Sequence, residues 1–419
     1  MKILHVIHNY HPAKGGPQYT VKQLSEKLVA DYHDDVQVFT SDSLYGPEMQ
    51  LYQKIAPSIT SIAGVAVQRF PFVRWHYPII DFSNRVYKRM LAKPLPQNLL
   101  NKRWGMDSPL LYKAMNRQEA DIIMASTINY NFCDYPFWRM HTKAPKPFVV
   151  YGSLHMHINW PQQAAVIKRA RACDCYIANT NFEKDKLINT YGVSDAKIIT
   201  IGTGIEPDEY FCSDDVVYTK REQLNLKQSE IVLGYIGRLS EGKGVELLLD
   251  AFKKIEQKFP TVKLLLAGTK TPYSVALKKT YRNNSRIIII EDFEDNEKKE
   301  LFNVIDIFVN GSKGESFGVV FLEAWSCRKP VIGANTKAAA DVIADAKDGF
   351  LFEINKADAL AEKMELLIQN VNLCKQMGEA GYLKIKQQYN WYNIVAQYRH
   401  AYTIGIENFK QNRRENKQL

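Results

Sequence analysis

Two stretches of this 419-residue chain repeat one pattern: a short apolar run, a glycine-bearing loop, then a helix-length amphipathic segment. The first is KILHVI (2–7), the loop HNYHPAKGGPQYT, and a segment from Val21 to Ala30 with Val21, Leu24, Leu28 and Val29 apolar. The second is Ile231 to Gly237, the loop GRLSEGKG (237–244), and a segment from Val245 to Lys258. Runs this short, each followed by helical periodicity, are strands feeding crossover helices, so each series predicts a parallel sheet covered on both faces. In the first series, strands are predicted at Val36 to Thr40, Val65 to Phe70, Asp121 to Ala125, Pro147 to Gly152, Cys175 to Asn179 and Lys197 to Ile201. Helices are predicted over Gln162 to Ala172 and Asn181 to Tyr191. The second series predicts strands Val262 to Ala267, Arg286 to Ile290, Ile307 to Asn310 and Pro330 to Ala334, with helices over Asn296 to Val304 and from Ala357 to Gln388. The fold class is α/β, with two doubly wound domains, and a chain of this length exceeds one ordinary core. The polar, turn-rich stretch from Gly202 to Gln228 reads as the connection between them.

Apolar residues make up 46% and charged residues 24%, which excludes a disordered chain. No run has the length of a membrane-spanning helix, and the opening KILHVI is expected to be a strand and not a cleavable leader. The six cysteines (Cys133, Cys173, Cys175, Cys212, Cys327, Cys374) lack zinc-ligand spacing and read as reduced cytosolic thiols. A net charge of +10 fits nucleic acid, an anionic membrane or phosphorylated substrates. Nucleic acid is set aside, since paired Cys/His fingers and RNP-type aromatic strands are missing.

The richest stretch is Gly311 to Pro330, GSKGESFGVVFLEAWSCRKP. Glu315 and Glu323 stand eight positions apart. A helix opening near Gly318 would leave Glu315 in the loop and carry Glu323 about a turn and a half in. Amides at Phe317, Gly318 and Val319 would then point out of the helix start, which attracts phosphate. An anion site flanked by two carboxylates fits a ligand with both phosphates and hydroxyls, such as a nucleotide sugar. The same spacing is also met by a solvated loop carboxylate and a surface helix carboxylate.

Arg238 and Lys243 share a loop at a strand's carboxyl end, before a helix start. Two cations there complement a diphosphate, and equally describe an exposed basic loop. Gly15 and Gly16 let backbone approach a ligand closely, but the loop lacks G-x-G-x-x-G. His155 sits just past the carboxyl end of its strand, where open α/β sheets bind ligands, with His157 two positions on. Either histidine alone also reads as a satisfied structural residue. The sequence shows no Asp-x-Asp metal site.

Between Val67 and Arg117 the chain is basic, with Arg69, Arg74, Arg85, Lys88, Arg89, Lys93, Lys102, Arg103, Lys113 and Arg117 against Asp81 and Asp107. Aromatics are interleaved. A short helix from Ser83 to Lys93 would put Arg85, Lys88 and Arg89 on one face and Val86 and Met90 on another. Such a stretch suits an anionic bilayer surface, or is a solvated insertion.

These motifs together resemble the GT-B retaining glycosyltransferases of family 4, the group 1 type. The Glu-x7-Glu pattern stands complete at Glu315 and Glu323, and Gly-Arg-Leu-x-x-x-Lys-Gly at Gly237 to Gly244. The amino-terminal Gly-Gly loop and the stretches ANTNFEKD and ITIGTGIEPDEY are also similar. The resemblance implies two facing Rossmann-like doubly wound domains with a C-terminal helix crossing back to the first. The expected division is 1–205 (acceptor side), 206–228 (linker), 229–388 (nucleotide-sugar domain), 389–408 (crossing helix, read from Trp391 to Asn408) and 409–419 (a basic, disordered tail). It implies that Glu315, His155, Arg238 and Lys243 are catalytic. Gly15, Gly16, Phe317, Gly318, Val319 and Glu323 would bind the donor, Glu323 at its ribose. Domain closure would bring His155 and Gly16 onto it.

The expected partners are a nucleotide-diphosphate sugar, a glycan or lipid-linked acceptor, and an anionic membrane surface through Val67 to Arg117. No cofactor, metal or nucleic acid is expected, and the expected place is the cytoplasm, peripheral on the inner membrane face. The expected activity is retaining sugar transfer in bacterial-type surface polysaccharide synthesis. The alternatives are a GT-B nucleotide-sugar epimerase and a non-catalytic GT-B protein that binds a glycan or partner. One departure stands out: where the family often has a Gly-rich turn and Pro-Glu, this chain has NTKAAADVI, with Ala338 to Asp341.

Overall fold

The computed structural model describes residues 1–13, 15–44, 54–56, 59–72, 76–100, 108–154 and 163–418. The chain forms two units, Met1–Gly202 with Ile394–Leu419, and Thr203–Asn393.

The first unit is built on eight strands: β1 (Lys2–Ile7), β2 (Asp35–Ser41), β3 (Ile59–Ile62), β4 (Val65–Phe70), β5 (Ile122–Ser126), β6 (Phe148–Tyr151), β7 (Cys175–Ala178) and β8 (Ile198–Thr200). Their order is β3-β4-β2-β1-β5-β6-β7-β8. All pairings are parallel except β3 with β4. Strands β5, β6 and β7 are buried along their whole length, which is why they read as continuous apolar runs without alternation. Strand β3 was not expected. It joins β4 through a tight turn at Ala63 and Gly64, both at positive φ, and such a short connection favours an antiparallel hairpin.

The first helix runs Gly16–Tyr32, starting five residues before the predicted Val21. Pro17 near its start needs no amide partner and presets the helical φ, so Gly16 belongs to the helix start and not to a loop. The basic region likewise holds a longer helix than expected, Tyr77–Leu91, again opened by a proline.

The final helix, Trp391–Gln418, continues through the segment predicted to be a disordered tail. Phe409 explains the correction: it is buried, with the Arg139 guanidinium 4.8 Å above its ring. From Ile394 on, this helix belongs to the first unit. Tyr402 reaches His5 Nε2 at 2.9 Å, and Asn408 donates to the Asp174 carbonyl at 2.9 Å. Asp174 in turn forms a buried ion pair with Arg139 (2.5 Å) and accepts from the Phe148 amide.

The second unit has six parallel strands: β9 (Ile231–Ile236), β10 (Val262–Gly268), β11 (Ile287–Glu291), β12 (Ile307–Asn310), β13 (Val331–Ala334) and β14 (Gly349–Phe352). The order is β11-β10-β9-β12-β13-β14, with the direction of winding reversing between β9 and β12. The helix Val245–Lys258 lies where expected and buries Leu248, Leu249, Phe252 and Ile255. Two short helices, Pro272–Thr280 and Lys337–Val342, and the strand β14 were not expected.

The stretch expected to be a linker, 206–228, instead carries a helix, Asp214–Gln223, that belongs to the second unit. Its polarity misled because its cations are buried. Lys220 pairs with Glu297 (2.5 Å) and Glu300 (3.3 Å), and Arg221 donates to the carbonyls of Val304, Lys227 and Glu230.

In the first unit Glu183 is fully buried, three residues past the Thr180 cap of its helix. It accepts from Tyr176 (2.6 Å) and from the amides of Asn179 (3.0 Å) and Leu154 (3.4 Å). Burial outweighs these donors and pushes its pKa up to about 7 from 4.5. The folded state therefore holds a proton that the unfolded state releases, so this group's stabilising contribution is full below pH 4.5 and is lost as pH rises to about 7. In denaturant titrations across that window, Glu183→Gln is expected to reduce the downward slope of stability with pH.

Candidate functional site

The carboxyl ends of β9 and β12 meet at the point where the second sheet reverses, the place where open α/β sheets bind ligands. The loop after β9 spans 237–244 and the loop after β12 spans 311–318, so the two motifs singled out in the sequence are neighbours in space. Their contact is backbone on backbone. A Cβ on Gly244 would lie 2.2 Å from the carbonyl of Gly311, and a Cβ on Gly311 would lie 2.7 Å from the Gly244 oxygen. Gly244 also caps its helix at φ 77°, a conformation that disfavours any side chain.

Across this contact the Lys243 ammonium lies 3.1 Å from Glu315 Oε1, both side chains being partly exposed. Arg238 is exposed in the same loop, and its guanidinium makes no hydrogen bond or ion pair with the described residues. Its carbonyl accepts from the Tyr235 hydroxyl at 3.0 Å. The Thr271 hydroxyl donates to the Leu239 carbonyl at 2.7 Å, tying the loop after β10 to the same place. Two cations and one carboxylate thus converge at one end of the sheet.

Gly318 caps the helix Val319–Ser326 at φ 91°, where a Cβ would also meet the Phe321 ring at 2.5 Å. No side chain satisfies the helix start, so the amides there remain available to an anion. The Phe317 ring is buried against Tyr389 (5.5 Å), which leaves only its backbone to face a ligand. Glu323 lies in the next turn and is 3% exposed, which corrects any reading of it as a solvated surface residue. Its Oε1 accepts from the Tyr210 hydroxyl (2.8 Å) and from Lys298, while Oε2 is buried and has no protein partner. Tyr210 and Lys298 were not singled out in the sequence. Tyr210 stands within the ITIGTGIEPDEY stretch, while Lys298 lies in a run of charges that carries no signal.

The segment that departs from the family pattern forms the short helix Lys337–Val342. Thr336 caps it, accepting from the Ala339 amide at 3.0 Å. The Ala339 amide is therefore satisfied within the chain.

In the first unit, Gly15 and Gly16 are exposed at the start of the helix after β1. Gly15 is the cap residue and no side chain satisfies that end. His155 and His157 lie outside the described residues. His8, not singled out in the sequence, follows β1 at that sheet's reversal point and is buried, its ring stacked on Tyr130 at 4.7 Å. Burial lowers its pKa to about 3, so it is neutral at physiological pH. Among the described residues no cluster of His, Cys, Asp or Glu could hold a metal ion.

Two Rossmann-like units, with the last helix returning to the first, define the GT-B class of fold. Two family profiles match the chain: "Glycosyl transferases group 1" over residues 217–384 and "Glycosyltransferase Family 4" over residues 14–209. The two profiles fall one on each unit and together span most of the chain. It is 28% identical over 231 residues to the capsular polysaccharide biosynthesis glycosyltransferase CapM of Staphylococcus aureus, covering 53% of this chain and 60% of that protein. It is 30% identical over 197 residues to the N-acetyl-alpha-D-glucosaminyl L-malate synthase of Bacillus anthracis, covering 45% and 51%. The matches thus span about half to three fifths of these relatives' length. Among solved structures, Anabaena HepE in complex with UDP and glucose matches with TM-score 0.73 at 18% identity, covering 96% of this chain and 99% of that one. Sucrose-phosphate synthase from Thermosynechococcus elongatus matches with TM-score 0.72 at 18% identity, covering 96% and 98%. At that identity the likeness is one of fold.

Gly244→Ala is expected to push the two loops apart and to cost roughly 2–3 kcal/mol, the sum of a strained φ and an overpacked contact. Urea denaturation checks it; a variant as stable as the parent would contradict the close backbone contact.

Proposed function

We propose that this chain is a retaining glycosyltransferase that moves a sugar from a nucleotide-diphosphate donor to a glycan or lipid-linked acceptor, in the synthesis of a bacterial-type surface polysaccharide at the cytoplasmic face of a membrane. The observation that carries this reading is the meeting of Arg238, Lys243, Glu315 and an open helix start at the reversal point of the second sheet. The family supports the class of reaction, and the UDP and glucose bound to Anabaena HepE support a nucleotide-sugar donor.

The chemistry follows from the charges. Arg238, Lys243 and the amides of Phe317 to Val319 receive the diphosphate and stabilise it as it departs. Glu315 accepts from hydroxyls of the donor sugar, and its negative charge favours the positive charge developing at the anomeric carbon. Glu323 accepts from the ribose. The bond from the anomeric carbon to the diphosphate oxygen breaks, and the acceptor hydroxyl oxygen bonds to the same face of that carbon. The departing phosphate oxygen takes the hydroxyl proton, so no separate general base is needed. His155 remains a catalytic candidate on the family resemblance alone.

Membrane association has its own support in the helix Tyr77–Leu91. Ile79, Phe82, Val86 and Met90, spaced three, four and four apart, are all exposed along one face, at 39% or more. Exposed Arg85 and Arg89 lie along one side of the stripe, and exposed Lys88 lies on the opposite face. An apolar stripe beside cations is complementary to an anionic bilayer surface. Among the described residues no helix is long and apolar enough to cross a membrane.

Thermal unfolding with millimolar UDP-, GDP- and ADP-sugars identifies the donor, because a ligand bound only by the folded state raises the midpoint. One of them is expected to do so; no shift with any would contradict the reading. With that donor, Glu315→Ala or Lys243→Ala is expected to lower turnover by a hundredfold or more, of the order seen when one charge-stabilising group is removed. Near-normal transfer by both variants would overturn the assignment. The chain is also expected to co-float with phosphatidylglycerol vesicles at low salt and to be released as salt rises, with Phe82→Ser and Met90→Ser weakening binding.

A further inference from the structure

Glu323 is a buried carboxylate with two unlike oxygens. Oε1 is fully engaged, accepting from the Tyr210 hydroxyl at 2.8 Å and from the Lys298 ammonium. Oε2 is equally buried but has no protein partner. A buried carboxylate oxygen without a donor is costly, and the arrangement persists only if the surrounding structure over-determines it.

That over-determination is visible. Tyr210 closes the turn Pro207–Tyr210, and its carbonyl accepts from Asn303 Nδ2 at 2.8 Å. Its ring packs edge-on against Phe302 at 6.3 Å. Lys298 comes from the helix Asp295–Val304, which also carries Phe302 and Asn303. Glu323 itself is fixed on the helix Val319–Ser326, between the buried Leu322 and Ala324. Two separate elements therefore converge on one oxygen of a side chain held by a third, and leave the other oxygen unused.

We propose that Tyr210 and Lys298 are positioning residues for the donor: by clamping Oε1 they hold Glu323 in the rotamer that presents Oε2 to a ribose hydroxyl of the nucleotide. This rests on the reading of Glu323 as a ribose-binding residue. Lys298 also balances the carboxylate's charge, so the site can take a neutral hydroxyl donor without needing a cation from the ligand. Neither residue touches the reacting atoms, so their loss acts on donor affinity and not on the chemical step.

The experiment is isothermal titration of the full chain with UDP, GDP and ADP, followed by the 2′,3′-dideoxy form of whichever binds. The parent protein is expected to prefer the normal nucleotide by tenfold or more. Tyr210→Phe and Lys298→Met are each expected to weaken normal nucleotide binding and to bring the preference over the dideoxy form close to one. Lys298→Arg is expected to restore it. In turnover assays the two disabling variants raise the donor KM and leave kcat within about threefold. Variants that keep the parent's preference overturn the proposal, and so does a loss of kcat at unchanged KM. A parent that binds a nucleotide but does not distinguish its dideoxy form removes the ribose role of Glu323 and leaves the donor site standing. A parent that binds none of the three removes the donor site itself. Thermal midpoints separate misfolding from loss of the clamp: if Lys298→Met is unstable, Tyr210→Phe, which deletes one hydroxyl, decides.

Discussion

The second unit's site depends on one contact, the approach of the Gly244 and Gly311 backbones to within what a single methyl group would occupy. A parallel sheet delivers its strand ends to one edge but leaves the loops beyond them independent. Here the absence of two side chains lets the loop after β9 and the loop after β12 touch. Lys243 and Glu315 then fall opposite each other at 3.1 Å. A partly exposed pair of this kind contributes about 0–1 kcal/mol, too little to hold the loops together. The glycine contact fixes the geometry, and the ion pair is its consequence. Both charges remain accessible enough to exchange partners with a phosphate and a sugar hydroxyl.

Around that contact the unit spends buried polar groups unevenly. The structural cations take most of their partners from the protein: the two terminal nitrogens of Arg221 donate to three carbonyls, and Lys220 pairs with two carboxylates. Toward the helix start Val319–Ser326 the pattern changes. The Arg238 guanidinium, the first amides of the helix and Glu323 Oε2 lack protein partners among the described residues. Oriented polar groups left open beside one another are what a ligand site requires, since a ligand supplies what is missing.

Much of this was legible in the sequence, for reasons that differ by residue. The buried strands announced themselves as β-branched runs. Glu315, Glu323, Arg238 and Lys243 stood out because each motif lies within one loop and one helix start, so spacing reports loop or helix position but leaves the burial of Glu323 open. Tyr210 and Lys298 reach Glu323 across 113 and 25 positions, and no local pattern reports such pairings. The helix Asp214–Gln223 was masked by its own buried cations, which look like a solvated linker until their carboxylate and carbonyl partners are known. The end of the last helix was masked in the same way, by a basic run whose one decisive residue is Phe409. In the first unit, the helix start at Gly16 was misplaced because Pro17 reads as a loop residue and here begins a helix.

The central claim is that the donor's phosphates lie against the helix start at Phe317 to Val319, within the loop pair joined at Gly244 and Gly311. Hydrogen exchange of the backbone amides, with and without a saturating nucleoside diphosphate, addresses this directly. The account predicts that protection rises at Phe317, Gly318 and Val319 and in the loop 237–244, and stays unchanged at the far edge of the sheet in β11. Protection that appears elsewhere in the second unit, with these amides exchanging as before, would contradict it.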